Sequence, residues 1–436
     1  MFDGIGCFPL AWAKLLDIPY KTLNYTSSEI SPFLLDILKE KFPLSEQLGD
    51  IEKIDLNLLE GGILTMGTPC TGFSISGNGD GLQNIESRLF KDGVEAIKKV
   101  EPNYFVWENV FGVFSANKRK EFKEILAYFK ETEYDLAWTL LDTKYFGLPQ
   151  RRRRLYLVGV KKGIPKANNL FDFKLRQSKE IFKEVKLFEE NFEFDFNKES
   201  KKPKEHYAFF NRQRSDKFKE IGISNTIAKR DFKGATDVVI KNGRVRRVVP
   251  KERLRLQGIP DSFFDNSYSK YRSDKQRYQA NGMSVPVVSY VFEQIVKLES
   301  NKYHENSDYE KEILITKDIK NELIKIKENG EEEHLAIPYS GQMFFKRDKE
   351  GNVIDKEEVE FHFSKKCIEG SPKLEFNSID SILLDEVEEK YYLTEKTLEG
   401  YLRREFESGF PLPVKLKEVI LDQYPNLKEY CKKLNL

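Results

Sequence analysis

Gly61-Gly62-Ile63-Leu64-Thr65-Met66-Gly67-Thr68-Pro69-Cys70-Thr71-Gly72-Phe73-Ser74-Ile75-Ser76 decides how the rest of this chain is read. An apolar run enters the segment like a buried strand. Proline and two glycines then break regular structure and leave a single cysteine, Cys70, at the strand exit. Strand-end loops carry chemistry because the strands beneath them are rigid. A thiol there reads as a nucleophile. Free cysteine is also among the most buried residues, so the segment alone leaves a small buried thiol equally open.

Working outward, the chain of 436 residues is long enough for roughly two or three domains. It has no apolar run that would span a membrane, and Met1-Phe2-Asp3-Gly4 lacks the basic region and cleavage site of a signal peptide. Cys7, Cys70, Cys367 and Cys431 show neither metal spacing nor a disulfide framework. A reducing cytoplasm is the expected location. The four histidines also lack ligand spacing, so no metal is expected. Net charge is +1 but uneven: residues 161–255 hold 26 Lys/Arg against 14 Asp/Glu, and residues 301–436 hold 22 against 30. The first imbalance suits either a polyanion partner or a solvated lysine-rich surface.

Residues 1–160 alternate apolar runs at 21–26, 62–66, 104–107, 136–141 and 154–160 with helix-like stretches at 31–41, 89–100 and 118–132. This rhythm predicts an α/β fold, a parallel or mixed sheet with helices on both faces. Residues 162–222 lose the rhythm. Order returns at 249–263 and at 284–299, residues 301–308 read as a linker, and 309–436 reads as a separate acidic segment.

Several short runs carry chemistry. Phe2-Asp3-Gly4-Ile5-Gly6 leads into an apolar helix-like run, and its glycines let backbone approach a ligand. Glu29 ends a strand about twenty residues on, a spacing at which an acid takes a ribose hydroxyl. Asp50 follows a turn and is placed to accept from an adenine amine. Each acid alone reads equally as a cap or a solvated charge. In series they suggest a nucleoside pocket without a phosphate cradle, which fits S-adenosylmethionine better than a dinucleotide. Tyr104-Phe105-Val106-Trp107-Glu108-Asn109-Val110 ends another strand in a carboxylate that should reach the sheet edge of Cys70 and act as an acid. Gln150-Arg151-Arg152-Arg153-Arg154 runs into a further strand, where alternation would send Arg152 and Arg154 to one face.

In order along residues 1–299, these segments resemble the motifs of the DNA (cytosine-5)-methyltransferases. Phe2-Asp3-Gly4-Ile5-Gly6 is similar to the family's first cofactor motif, Pro69-Cys70-Thr71-Gly72-Phe73-Ser74 to its nucleophile loop, and Glu108-Asn109-Val110 to its ENV triplet. Gln150 to Arg154 resembles its Q-x-R-x-R motif, Arg253-Leu254-Arg255-Leu256-Gln257-Gly258 its R-L-Q-G segment, and Asn281-Gly282-Met283-Ser284-Val285-Pro286 its last motif. Cys7, Thr71 and Ala280 depart from the residues usual at their positions, but no catalytic group is missing.

The resemblance implies a Rossmann-like S-adenosylmethionine-dependent methyltransferase sheet with a smaller target-recognition domain and a C-terminal extension. It implies a catalytic domain over 1–161, recognition over 162–248, a return to the catalytic domain over 249–300, and an extension over 301–436. It implies a catalytic set of Cys70 as covalent nucleophile, Glu108 on the N3 edge of cytosine, Arg154 on its O2, and Arg152 supporting the Cys70 loop. The implied cofactor contacts are Phe2, Gly4, Ile5, Gly6, Glu29, Ile30, Asp50, Ile51, Pro69, Leu89, Asn281 and Ser284; the implied DNA contacts are Ser74, Gln150, Thr226, Lys229, Arg230 and Arg255. The expected partner is double-stranded DNA, met by a monomer at the nucleoid and paired in function with a restriction endonuclease. Glu388-Glu389-Lys390-Tyr391-Tyr392-Leu393-Thr394 is similar to a segment found in the variable region of bacterial relatives, so the extension is read either as a displaced recognition element or as a packing domain.

Overall fold

A computed structural model describes residues 1–59, 61–69, 89–115, 120–165, 170–171, 207–211, 218–220, 222–228, 231–232, 237–263, 273–300, 312–319, 324–326, 332–334, 337, 339–364, 379 and 382–436. Cys70 and Ser74, Lys229 and Arg230, the linker at 301–308 and most of the expected recognition region lie outside these residues. The described chain divides into two compact units. The first holds Met1–Asp142, Arg153–Gln177 and Val287–Lys373; the second holds Thr143–Arg152, Ser178–Pro286 and Leu374–Leu436.

In the first unit, β1 (Thr26–Ser27) pairs in parallel with β2 (Glu46–Gln47). The strand expected over 21–26 is mostly replaced by a 3-10 turn at Tyr20–Thr22, because the carbonyl of Pro19 accepts both the amide (2.9 Å) and the hydroxyl (2.7 Å) of Thr22. The main sheet is then laid down by β3 (Ile63–Met66), β4 (Tyr104–Val110), β5 (Asp135–Asp142) and β6 (Arg153–Val160). Strand β3 runs parallel to β4, whereas β6 runs antiparallel to both β4 and β5, so the sheet is mixed. Aromatic and β-branched side chains bury β4 and β5 along almost their whole length, as a sheet covered on both faces requires. The covering helices are amphipathic. Phe90–Val100 buries Phe90, Val94 and Ile97, and Lys120–Lys130 buries Phe122, Ile125, Leu126 and Phe129, each on one helical face. They close over Trp107 and Trp138.

The N-terminal helix Cys7–Leu15 starts at Gly6, whose φ of 80° suits glycine; a Cβ there would sit 2.5 Å from the Phe42 ring. The helix Val285–Glu299 returns to this unit, with Phe292 against Phe8 and Trp12 at ring separations of 6.1 and 5.0 Å.

The second unit contains a four-stranded sheet of β7 (Tyr207–Asn211), β8 (Lys219–Glu220), β9 (Asp237–Lys241) and β10 (Arg244–Arg247), in the order β10-β9-β7-β8. Asn242 and Gly243 join β9 to β10 with φ of 53° and 71°, the left-handed pair that a two-residue hairpin turn demands.

The domain boundaries differ from the expected ones in two places. Residues 249–286, expected in the catalytic domain, belong to the second unit up to Pro286. Their buried partners lie there: Val248 and Leu256 share a core with Leu148, Ile227, Val239 and Ile382. The extension over 301–436 is also not one domain. Its strands β11 (Glu312–Thr316), β14 (Ser340–Arg347) and β15 (Val353–Ser364) extend the catalytic sheet in the order β11-β15-β14-β5-β6-β4-β3, while β12 (Ile324–Ile326) and β13 (Glu332–His334) pair with each other. Phe361 and Phe363 meet Trp138, and Arg347 reaches the buried carboxylate of Asp135 at 3.1 Å. Helices Glu395–Ser408, Val414–Gln423 and Leu427–Leu434 instead pack in the second unit.

Candidate active site

The loop that bears Cys70 leaves β3 through Gly67-Thr68-Pro69. Thr68 is buried, and its hydroxyl accepts from Trp107 Nε1 at 2.8 Å and Asn109 Nδ2 at 3.1 Å. Both donors sit on β4, two residues apart and therefore on one face of the strand. The start of the loop is thus tied to the end of β4. Glu108, between the two donors, points to the other face. There its Oε1 meets Arg154 Nε at 3.2 Å, with only 11% and 14% of the two side chains exposed. Arg154 is one step along β6 from the residue facing Leu155's partner Asn109, since the antiparallel register puts Val110 opposite it. The contact is an ion pair outside hydrogen-bond geometry, so Glu108 Oε1 is buried with its hydrogen-bonding capacity unused. Arg153, on the opposite face of β6, stacks over Phe111 at 4.3 Å.

A second cluster surrounds the N-terminal glycines. Gly4 has a φ of 62°, and a Cβ built on it meets nothing within 4 Å, so a ligand can come directly against its backbone. Its amide donates to Glu29 Oε2 at 2.9 Å, while Glu29 Oε1 accepts from the amides of Ile30 (3.0 Å) and Ser31 (2.9 Å). Phe2 is held at a φ of 55°, an uncommon conformation for a non-glycine residue. Asp3 anchors this turn: its buried Oδ2 accepts from Tyr25 (2.9 Å) and Ser27 (2.8 Å), and burial raises its pKa. Ser28 reaches the carbonyl of Gly49 at 2.8 Å, which brings the residue before Asp50 to the end of β1. Asp50 caps the turn Ile51–Lys53 by accepting from Glu52 N at 3.2 Å. Burial, then the charge of Glu52, raises the pKa of Asp92 in the helix Phe90–Val100, which Leu89 precedes.

A family model described as C-5 cytosine-specific DNA methylase matches residues 1–297. The chain belongs to this family. It is a DNA (cytosine-5)-methyltransferase of restriction–modification type, with S-adenosylmethionine as methyl donor. It is 30% identical over 318 residues to Type II methyltransferase M1.ScrFI of Lactococcus lactis subsp. cremoris, covering 69% of this chain and 78% of that relative. It is also 30% identical over 301 residues to Type II methyltransferase M.NgoBI of Neisseria gonorrhoeae, covering 66% of this chain and 89% of that one. Among solved structures, the Entamoeba histolytica methyltransferase EhMeth aligns with a TM-score of 0.45 at 16% identity, over 68% of this chain and 96% of that chain. Among the described residues, no helix is long and apolar enough to cross a membrane.

The cluster around the N-terminal glycines of this methyltransferase fits its cofactor. An open backbone at Gly4 and two acids, Glu29 and Asp50, suit a nucleoside that carries a positive sulfonium. Ile51 is buried and Ile30 largely exposed. In the second unit, the Asn281 Nδ2 and Ser284 Oγ atoms are buried without hydrogen-bond partners, as groups awaiting a ligand would be. Their loop is held by Gln257, which accepts from Gly282 N at 2.7 Å through its side chain and from Val285 N at 2.9 Å through its carbonyl. Gly258, at φ 72°, allows the close approach of Pro286; a Cβ there would lie 2.6 Å away.

The other expected residues fall in varied places. Arg152 does not share a strand with Arg154, because β6 begins only at Arg153; residues 150–151 instead bridge to Ser224. Arg152 Nη2 donates to the carbonyl of Gly282 at 2.8 Å. Gln150 is fully buried, with both amide atoms unpartnered, and Thr226 donates to the carbonyl of Arg151 at 2.8 Å. Arg255, expected on DNA, is instead engaged by Asp261 (2.9 and 2.7 Å) and the carbonyl of Ile382 (3.0 Å). Sequence reasoning missed Thr68, Asp3 and Gln257 as holding groups. Each lies inside a recognisable motif, and that position was the available signal.

Proposed function

We propose that this methyltransferase acts on a cytosine flipped out of a specific duplex DNA sequence, through a covalent adduct with Cys70. The observation that carries the reading is the buried Glu108–Arg154 pair with Glu108 Oε1 unused, on the same strand whose Trp107 and Asn109 hold Thr68 two residues before Cys70. Carbon 5 of cytosine is a weak nucleophile. The Cys70 thiolate adds to carbon 6, and the electron pair moves through the ring so that carbon 5 becomes nucleophilic. Glu108 accepts from the exocyclic amine and passes a proton to N3 as negative charge develops there. Arg154 orients Glu108 and binds O2 of the base. S-adenosylmethionine, which Gly4, Glu29 and Asp50 would hold, would supply an electrophilic methyl group to carbon 5. After transfer, a base removes the proton from carbon 5, the double bond re-forms and the thiolate leaves carbon 6. The target carbon is inaccessible within a duplex, so flipping is needed, at a cost of a few kcal/mol.

The basic balance of 161–255 supports duplex DNA as the partner of that region, with phosphate contacts setting affinity. The Type II relatives support a protective role: methylation by this protein would shield host DNA from a companion endonuclease.

Labelled S-adenosylmethionine offered with genomic DNA or with tRNA, followed by bisulfite mapping, tests the substrate. Label is expected in DNA at one sequence; label in tRNA alone would overturn the reading. Cys70→Ser is expected to abolish transfer and retain cofactor binding. Appreciable turnover by that variant would place the nucleophile elsewhere.

A further inference from the structure

The hairpin β9–β10 carries four cations, Lys241, Arg244, Arg246 and Arg247. Three are engaged within the second unit. Lys241 pairs with Asp385 at 3.0 Å, and Arg246 is buried against Glu252 at 2.7 Å. Arg244 makes a two-pronged contact with Glu389, one arm at 3.0 Å, and lies 3.6 Å over the Tyr392 ring. Arg247 is half-buried and has no ion pair among the described residues.

The groups that take up Lys241 and Arg244 all come from the end of the chain. Several further contacts of the hairpin turn and of β10 also come from there. Asn242 Nδ2 donates to the carbonyl of Asp385 at 3.1 Å, Leu393 N donates to the carbonyl of Val245 at 3.1 Å, and Val245 N donates to Gln423 Oε1 at 3.0 Å. Beneath the hairpin, Val238, Ile240 and Val245 share one apolar core with Leu398, Leu402 and Leu416 of the C-terminal helices. Strand β9 is already paired with β7 on its other side, so β10 is the edge strand of this sheet and the one that needs cover. Here the tail covers β10 and supplies the countercharges of Lys241 and Arg244.

We propose that residues 382–436 are a working part of target recognition: they hold the β9–β10 hairpin so that Arg247 is presented to duplex DNA, and so help set which sequence is methylated. Glu389 and Tyr392 are positioning residues that act through Arg244. This rests on the reading of the protein as a duplex-DNA methyltransferase. Residues 382–436 hold 9 Lys/Arg against 11 Asp/Glu, and Asp385 and Glu389 are used on hairpin cations, which suits support rather than phosphate contact.

The full-length protein tests this on a library of duplexes that contain the preferred site and its single-base variants. Arg247→Gln is expected to raise KM for DNA and to reduce the salt slope of log KM by about one, with S-adenosylmethionine affinity unchanged. Glu389→Gln and Tyr392→Leu are expected to lower discrimination between the preferred and altered sites by roughly three- to tenfold. Melting temperature should hold, because the Arg244–Glu389 pair is largely exposed. The exchange R244E/E389R should recover part of the discrimination lost in E389Q, which a purely packing role would not produce. An unchanged site preference and salt slope in all three single variants of an active protein would overturn the proposal. Failure of the unaltered protein to methylate any duplex would overturn the underlying reading, and the control shows this before any variant is measured.

Discussion

Two buried arginine–carboxylate pairs, one in each unit, are built in opposite ways. In the second unit, Arg246 grips Glu252 with both terminal nitrogens at 2.9 and 2.7 Å, and the same carboxylate accepts from the amides of Val249 and Leu384 at 2.8 Å each. No more than 1% of either side chain is exposed. In the first unit, Arg154 touches Glu108 once, at 3.2 Å, and leaves Glu108 Oε1 without a hydrogen bond. A saturated pair has no capacity left for a ligand and works as structure. An unsaturated buried pair carries a desolvation cost that a substrate can relieve. The same two residue types therefore serve folding in one place and chemistry in the other.

Breaking the saturated pair should have the largest effect on stability. Glu252→Ala leaves the Arg246 charge buried and unpaired, at a cost of about 3–5 kcal/mol. Denaturant unfolding should show this loss, and a variant as stable as the parent would contradict the assignment. The unsaturated pair should behave in reverse. Glu108→Gln keeps the shape but loses the charge, and single-turnover kinetics should show transfer slower by about 10²–10³-fold, or about 2.7–4 kcal/mol in the barrier. Its unfolding midpoint should barely move; a large drop would mean that Glu108 is chiefly structural.

Thr68→Val sharpens the contrast, because it leaves Trp107 Nε1 and Asn109 Nδ2 buried without their acceptor. We expect a loss of about 1–3 kcal/mol in stability together with a lower kcat, since the loop start is released. A fall in stability alone, with kcat intact, would show that the tether does not position the Cys70 loop.

The smallest effect should come from a third pair, Arg255 with Asp261. Burial pushes the Asp261 carboxyl up, but hydrogen bonds from Arg255 and Lys251 outweigh it and hold its pKa below the usual range. Its contribution to stability is therefore present above the unfolded value of about 3.9 and lost as pH falls through the lower folded value. Arg255→Gln should be slightly less stable at neutral pH, and the gap from the parent should close in acid. A gap that is independent of pH would assign the effect to the lost bond with Ile382 instead.

Much of the first unit was legible because its signals are local. Strands at 63–66, 104–110, 135–142 and 153–160 carry aromatic and β-branched runs, and helices at 90–100 and 120–130 carry one apolar face each. The order of short motifs then pointed to the chemistry. The Thr68 tether was not legible, since its donors lie 39 and 41 residues away. Nor was the separation of Arg152 from Arg154, because residues 150–151 bridge to Ser224 through backbone contacts that leave no mark on composition.

The sequence by itself determined the α/β class, the family and the residue types of the candidate site, because periodicity and motif spacing are properties of neighbouring residues. Tertiary structure alone decided where the last third of the chain goes. Strand β14 joins β5 through pairs such as Ser340 with Thr139, and the helices from Glu395 onward close over a hairpin more than a hundred residues earlier. Strand pairing and core sharing depend on which apolar faces meet, and a chain can write an apolar face without writing its partner.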